Sequence, residues 1–315
     1  MKALIAGAAG FVGRYLIDEL AGNNYEVIAT KLPNEVLHSD NCTVIDLDIL
    51  MESDISAVLG RTRPDVIFHL AAISSVALSW KKPALTVDIN IKGAVNLLEA
   101  VRNLDYKPKV LLIGSSEEYG KVSEEENPIS ELHKTYPANI YAASKTCQNM
   151  LGKIYADAYN LEIIMVRAFN HIGPGQSADF VVSDFCKQAA EIEKGIIKPV
   201  IHVGNLGAKR DFTDVRDIVR AYLQLSFKGK KGETYNIGSG KAIEVKNILD
   251  TIINNSTADI KIEIDESKYR PVDVPVIEAD ISKIVSCTGW KPEFDLNTTI
   301  TDTLQYWRSK INGKT

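Results

Sequence analysis

Short apolar runs and longer stretches of helical periodicity take turns along the first half of the chain. Residues 3–6, 27–29, 43–45, 66–70, 110–113 and 163–166 are compact and apolar, and read as strands buried on both faces. Between several of them the apolar positions recur at helical spacing, most clearly over 84–102 and 140–159. Strands alternating with helices predict a parallel sheet covered on both sides. That is an α/β, doubly wound architecture with its ligands at the carboxyl ends of the strands. Beyond about Phe169 the alternation loosens. Pro174-Gly175 interrupts the chain, and 180–194 reads as an amphipathic helix. Lys261–Ile264 and 272–275 look like strand edges and loops of a smaller lobe. The predicted division is residues 1–168 for the doubly wound domain and 169–315 mainly for the lobe, with some later segments returning to the first domain.

Composition narrows the function classes. With 45% hydrophobic and 24% charged residues the chain is ordinary for a soluble globular protein. A net charge of -5 and the absence of a long Lys/Arg run give no footprint for nucleic acid. No apolar run approaches the ~20 residues of a membrane span. Met1-Lys2 leads straight into the first strand without a leader, so a cytoplasmic protein is expected. Cys42, Cys147, Cys186 and Cys287 are scattered, which suggests neither a metal site nor a disulfide framework.

The chemistry is carried by two separated motifs. Gly7-Ala8-Ala9-Gly10-Phe11-Val12-Gly13 follows a predicted strand and opens a predicted helix. Glycines there permit a tight turn, close approach of backbone to a pyrophosphate, and helix–strand packing, while the helix N-terminus favours the anion. The second strand ends Ala29-Thr30-Lys31, without the carboxylate that would accept from a free ribose 2′-hydroxyl. Lys31 suits a 2′-phosphate, which favours NADPH and leaves NADH possible; a solvated loop lysine is the other reading. In Tyr141-Ala142-Ala143-Ser144-Lys145 the phenol and ammonium lie four residues apart and share one helix face. A phenol titrates near ~10, so acid–base work at neutral pH needs the adjacent positive charge. Ser115 ends another predicted strand, where its hydroxyl can hold a substrate oxygen.

This spacing resembles the extended short-chain dehydrogenase/reductase family. The resemblance assigns Ser115, Tyr141 and Lys145 as the catalytic group, and Gly7, Gly10, Phe11, Val12 and Gly13 as the phosphate turn. It places Asp48-Ile49 at the adenine, Leu70-Ala71-Ala72 beneath the cofactor, and Asn90 as a structural asparagine. One departure is Ile140, where many relatives have proline before the tyrosine.

Longer stretches resemble the GDP-4-keto-6-deoxy-D-mannose reductases of that family. They are Gly-Ser-Ser-Glu-Glu-Tyr-Gly at 114–120, Phe-Asn-His-Ile-Gly-Pro-Gly-Gln at 169–176, and segments at 203–216, 235–240 and 270–275. The resemblance implies a GDP-linked deoxy-keto sugar as substrate, GDP-D-rhamnose as product, and residues 169–315 as mainly the nucleotide-sugar lobe. Arg210 and Arg270 are the forked donors for the diphosphate. Asn170 faces the diphosphate or sugar, Asp273 the ribose hydroxyls, and Lys187 guanine O6. Glu117 keeps alternatives open, because the sister GDP-mannose 4,6-dehydratases use a glutamate there for water elimination. A dehydratase or a 4-epimerase retaining its cofactor therefore stands beside the reductase. A non-catalytic dinucleotide sensor would typically lack the tyrosine and lysine. The family further implies a homodimer through the helices at 84–102 and 140–159.

Overall fold

The computed structural model describes residues 1–268 and 274–313. In the first half, strand and helix alternate as β1 (Lys2–Ala6), α1 (Phe11–Gly22), β2 (Glu26–Lys31), β3 (Thr43–Asp46), α2 (Glu52–Thr62) and β4 (Val66–His69). Then come α3 (Val76–Lys81), α4 (Pro83–Val87), α5 (Gly93–Arg102), β5 (Lys109–Ser115), α6 (Ile140–Ala158) and β6 (Ile163–Ala168). Strands β1, β4, β5 and β6 are buried along almost their whole length, as expected of a sheet covered on both faces.

The later half contains β7 (Asn170–Ile172), α7 (Val181–Glu193), β8 (Val200–Val203), β9 (Lys209–Asp214), α8 (Val215–Lys228) and β10 (Thr234–Ile237). It continues with β11 (Ala242–Glu244), α9 (Val245–Asn254), β12 (Lys261–Ile264), β13 (Val276–Ile277), α10 (Ser282–Thr288) and α11 (Leu296–Asn312).

Seven strands form one parallel sheet in the order β10-β6-β5-β4-β1-β2-β3. The chain winds outward from β1 through β2 and β3, then restarts at β4 on the other side of β1. The reversal leaves a crevice at the carboxyl ends of β1 and β4. Strand β10 completes the far edge although it lies well beyond residue 168, and α8 packs on α1. In the smaller lobe β7, β11 and β13 all pair with β9, while β8 and β12 form a separate parallel pair. Phe185, Ile201, Ile248, Ile252, Leu304 and Trp307 form the core between that lobe's helices and strands.

Three expectations change. The long helix at 84–102 is interrupted by a π-helical turn at Asp88–Lys92, with Asn90 buried at its centre. Asn90 Oδ1 accepts from Ile73 N at 2.8 Å, and its Nδ2 donates to Ile73 O at 3.0 Å and Ser144 Oγ at 2.8 Å. The widened turn thus ties the loop after β4 to α6. Helix α6 ends at Ala158, with Tyr159 as its C-cap. The edge anticipated at 272–275 lies partly outside the described residues, and the strand there begins at Val276. Among the described residues no helix is long and apolar enough to cross a membrane.

Candidate active site

The crevice at the switch point opens into a cleft of about 1490 Å³ whose wall includes both lobes. Gly7 follows β1 at φ 83°, and a Cβ there would lie 2.6 Å from Ala71 Cα. At Gly13 a Cβ would fall 2.3 Å from Ala8 O, so the helix can sit this close to the turn only without a side chain. Gly10 differs: the nearest protein atom to its Cβ would be 3.7 Å away, Gly7 O. The protein itself does not require glycine there; the cleft does. Gly10 is also the N-cap of α1 and supplies no side-chain cap to the first helical N–H groups. An anion suits those unsatisfied donors. A dinucleotide therefore fits this cradle.

Phe11, Val12, Lys31, Asp48, Ile49, Leu70, Ala71 and Ala72 all line the same cleft. Asp48 Oδ1 accepts from Leu50 N at 2.9 Å, which shapes the turn after β3. Lys31 is not solvated: its ammonium meets Asp46 Oδ1 at 2.5 Å, and its side chain is only 14% exposed. A 2′-phosphate there would compete with an existing carboxylate partner.

The catalytic candidates converge on the cleft as well. Ser115 ends β5 and caps a 3-10 turn at Ser116–Tyr119, its Oγ accepting from Glu117 N at 3.2 Å. Asn139 caps α6 by accepting from Ala142 N at 2.8 Å, which fixes the first turn carrying Tyr141. Tyr141 is buried, and its phenol is hydrogen-bonded with Ser115. Burial pushes that phenol well above the usual tyrosine range; the Ser115 hydrogen bond opposes this and the charges of Glu117 and Glu118 add to it. The hydrogen bonds of Lys145 go to β5 and to its own helix rather than to the phenol. Its Nζ donates to Ile113 O at 2.7 Å and Gln148 Oε1 at 3.1 Å. Burial brings Lys145 down to about 8, against the pull of Glu118. His69, facing it from β4, is brought down by burial to about 3 and is neutral at physiological pH.

The adjacent glutamates have separate roles. Glu118 is fully buried and accepts from Ser115 N at 2.9 Å, Asn149 Nδ2 at 2.8 Å and Arg167 Nε at 3.0 Å. It anchors the catalytic turn to β6 and α6. Glu117 lines the cleft, where Asn139 Nδ2 donates to its Oε2 at 3.0 Å.

Asn170 and Arg210 also line the cleft; Arg210 Nη1 donates to Lys209 O and Val274 O at 2.8 and 2.7 Å. Lys187 is not brought to the wall. It pairs with Glu191 at 3.2 Å, while the cleft face of α7 comes from its first turn, through Val181, Val182, Asp184 and Phe185. Arg270 and Asp273 lie outside the described residues. Sequence reasoning missed Asn139, whose place just before the helix was a readable N-cap signal. It also missed the Asp184 and Lys268 side chains, which have no local signature.

Comparison with known proteins agrees with this geometry. Residues 4–303 match the family model described as GDP-mannose 4,6 dehydratase. The GDP-6-deoxy-D-mannose reductase of Pseudomonas aeruginosa is 29% identical over 310 residues, covering 98% of each chain. GDP-mannose 4,6 dehydratase 2 of Arabidopsis thaliana is 31% identical, over 92% of this chain and 82% of that one. Among solved structures, RMD from Pseudomonas aeruginosa complexed with NADPH superposes with a TM-score of 0.88 at 29% identity, over 98% and 99% of the two chains. A UDP-glucose 4-epimerase of Thermus thermophilus in complex with NAD gives 0.88 at 25% identity, over 98% and 99%. The glycine cradle, the Ser–Tyr–Lys convergence and the match along nearly the whole chain lead to one assignment: the protein belongs to the GDP-mannose 4,6 dehydratase family, within the extended short-chain dehydrogenases/reductases.

Proposed function

We propose that this protein is an oxidoreductase that reduces the 4-keto group of GDP-4-keto-6-deoxy-D-mannose to give GDP-D-rhamnose, with NADPH as reductant. The observation that carries the reading is a cleft uniting the glycine cradle with Ser115, Tyr141 and Lys145, in a chain collinear with a GDP-6-deoxy-D-mannose reductase over 98% of its length. The nicotinamide supplies the hydride to the carbonyl carbon. Ser115 Oγ accepts the Glu117 N–H, so its own hydrogen can be donated to the keto oxygen. Tyr141, kept protonated by burial, delivers its proton to that oxygen as the alcohol forms. Lys145 is an ammonium at neutral pH, positioned to hold the nicotinamide ribose and to offset the phenolate charge left behind.

Glu117 favours a second reading, dehydration, because its carboxylate faces the cleft on a fixed Asn139 donor. The two readings part at Glu117→Gln. Keto-sugar reduction should fall by less than about threefold in this variant, whereas an acid–base glutamate would cost roughly 10²-fold or more. A loss of that size in reduction would contradict the reductase assignment of roles.

In this reading NADPH is the preferred cofactor and Lys31 exchanges Asp46 for its 2′-phosphate. Lys31→Ala is expected to weaken NADPH binding roughly tenfold while changing NADH by no more than about twofold, measured by fluorescence titration. Equal losses for both cofactors would remove Lys31 from the 2′-phosphate site. We further propose a homodimer. On α6, Met150 and Ile154 are 61% and 54% exposed one helical turn apart, and on α4, which packs against α6, Val87 is 44% exposed. A monomer mass in light scattering at micromolar concentration would refute it.

A further inference from the structure

The floor of the cleft holds a second phenol that the hydride and proton transfers do not use. Tyr222 lies in the middle of α8 and is 0% exposed, its ring in the core that α1 and α8 build with one face of the sheet. Helix α6, which carries Tyr141, belongs to the opposite face, where Ala156 shares a core with Leu97, Leu112 and Met165. Yet Tyr222 lines the same cleft as Gly7, Gly114, Tyr141 and Ala168. The two phenols therefore approach the carboxyl edge of the sheet from opposite sides. Burial, with the Tyr141 phenol adding to it, raises Tyr222 well above the usual tyrosine range, so its hydroxyl remains a protonated donor. Among the described residues that hydroxyl has no hydrogen-bond partner. Tyr119, just as deeply buried, donates to Asn236 Oδ1 at 2.6 Å. A buried phenol normally finds such a partner, and leaving it unpaired is costly. At the floor of a binding cleft, the missing partner is a group of the ligand.

Position and chemistry select the group. A dinucleotide with its pyrophosphate on the N-terminus of α1 must bring its nicotinamide to the edge of β5 and β6, because hydride and proton go to one carbonyl and the proton comes from Tyr141. The nicotinamide ring has one hydrogen-bonding substituent, the carboxamide on C3, next to the C4 that carries the hydride. A protonated phenol set in an apolar floor complements the carboxamide oxygen. Holding that oxygen fixes the ring and the face of C4 that meets the sugar.

We propose that Tyr222 is a positioning residue whose hydroxyl donates to the nicotinamide carboxamide from the floor of the cleft. The inference rests on the reading that the glycine cradle takes a nicotinamide dinucleotide.

Calorimetric titration of Tyr222→Phe with NADPH, NADH and 2′-phospho-ADP-ribose tests it. Both dinucleotides should weaken about five- to tenfold, the worth of one neutral hydrogen bond. Binding of 2′-phospho-ADP-ribose, which has no nicotinamide, should stay within about twofold. Equal losses for NADPH and NADH separate Tyr222 from Lys31, whose loss falls on NADPH. Without ligand, the variant should unfold at a urea midpoint no lower than that of the wild type, since the hydroxyl removed has no partner among the described residues. A phenol that serves only the fold would do the reverse, lowering that midpoint and weakening all three ligands alike. That result overturns the proposal, as does NADPH binding unchanged in the variant. A wild type that binds neither dinucleotide overturns it together with the cofactor cradle. Keto-sugar reduction is scored separately. Wild-type turnover with NADPH binding unchanged in Tyr222→Phe sinks this inference alone, and the expected binding losses without wild-type turnover sink the reductase reading alone.

Discussion

Tyr141→Phe is expected to lose roughly 10³-fold in kcat for keto-sugar reduction while NADPH affinity stays within about threefold, because the change deletes only the proton donor. The ring stays packed in a site where Tyr141 is 8% exposed, and the backbone of α6 is fixed by Asn139, so the fold has no reason to respond. The phenol's raised proton affinity matters to the direction of the reaction. Burial and the charges of Glu117 and Glu118 keep it protonated, which suits a donor to a nascent alkoxide better than a base in waiting. Wild-type turnover in the variant would remove Tyr141 from the mechanism.

Arg167→Leu is expected to carry the largest stability loss, about 3 kcal/mol at neutral pH, read from urea unfolding. Glu118 is 0% exposed and Arg167 12%, and removing the guanidinium would leave a buried carboxylate with, among the described residues, the Ser115 N–H and Asn149 as partners. Arg167 also lies 4.7 Å above the Tyr119 ring, so packing is lost too. The pH dependence has a definite sign. Burial raises Glu118 from 4.5 in the folded state, and losing Arg167 removes an opposing influence. A group with a raised folded pKa contributes fully below its unfolded value, and the contribution is lost as pH rises. The deficit should therefore shrink as pH falls toward 4.5 and grow above it. A deficit that widens on acidification would mean that Glu118 is not the group left unpaired.

The features readable in sequence were those determined by local contacts. Gly7, Gly10 and Gly13 announce the cradle because strand, turn and helix are consecutive, and Tyr141 and Lys145 reach the same cleft because i and i+4 share a helix face. What was not readable depends on contacts between distant segments. Glu117 and Glu118 are indistinguishable as neighbours in sequence. Only Asn149 and Arg167, from α6 and β6, decide that Glu118 turns inward and Glu117 faces the cleft. Lys187 lies one turn too far along α7: its ammonium reaches Glu191, while Asp184 takes the cleft wall and finds a partner 84 residues later. Lys31 was correctly placed at the end of β2, yet its pairing with Asp46 depends on β2 and β3 lying side by side in register. The π turn at Asp88–Lys92 left no mark in the apolar periodicity, since the segments on both sides continue one helical path.

Net reduction of a keto-sugar is decided by following NADPH oxidation. Purified protein is given GDP-4-keto-6-deoxy-D-mannose, with GDP-mannose as the control. One NADPH should be consumed for each keto-sugar converted and none with GDP-mannose. Conversion of GDP-mannose to a keto-sugar without net NADPH consumption would contradict it and make Glu117 the catalytic acid–base group of a dehydratase.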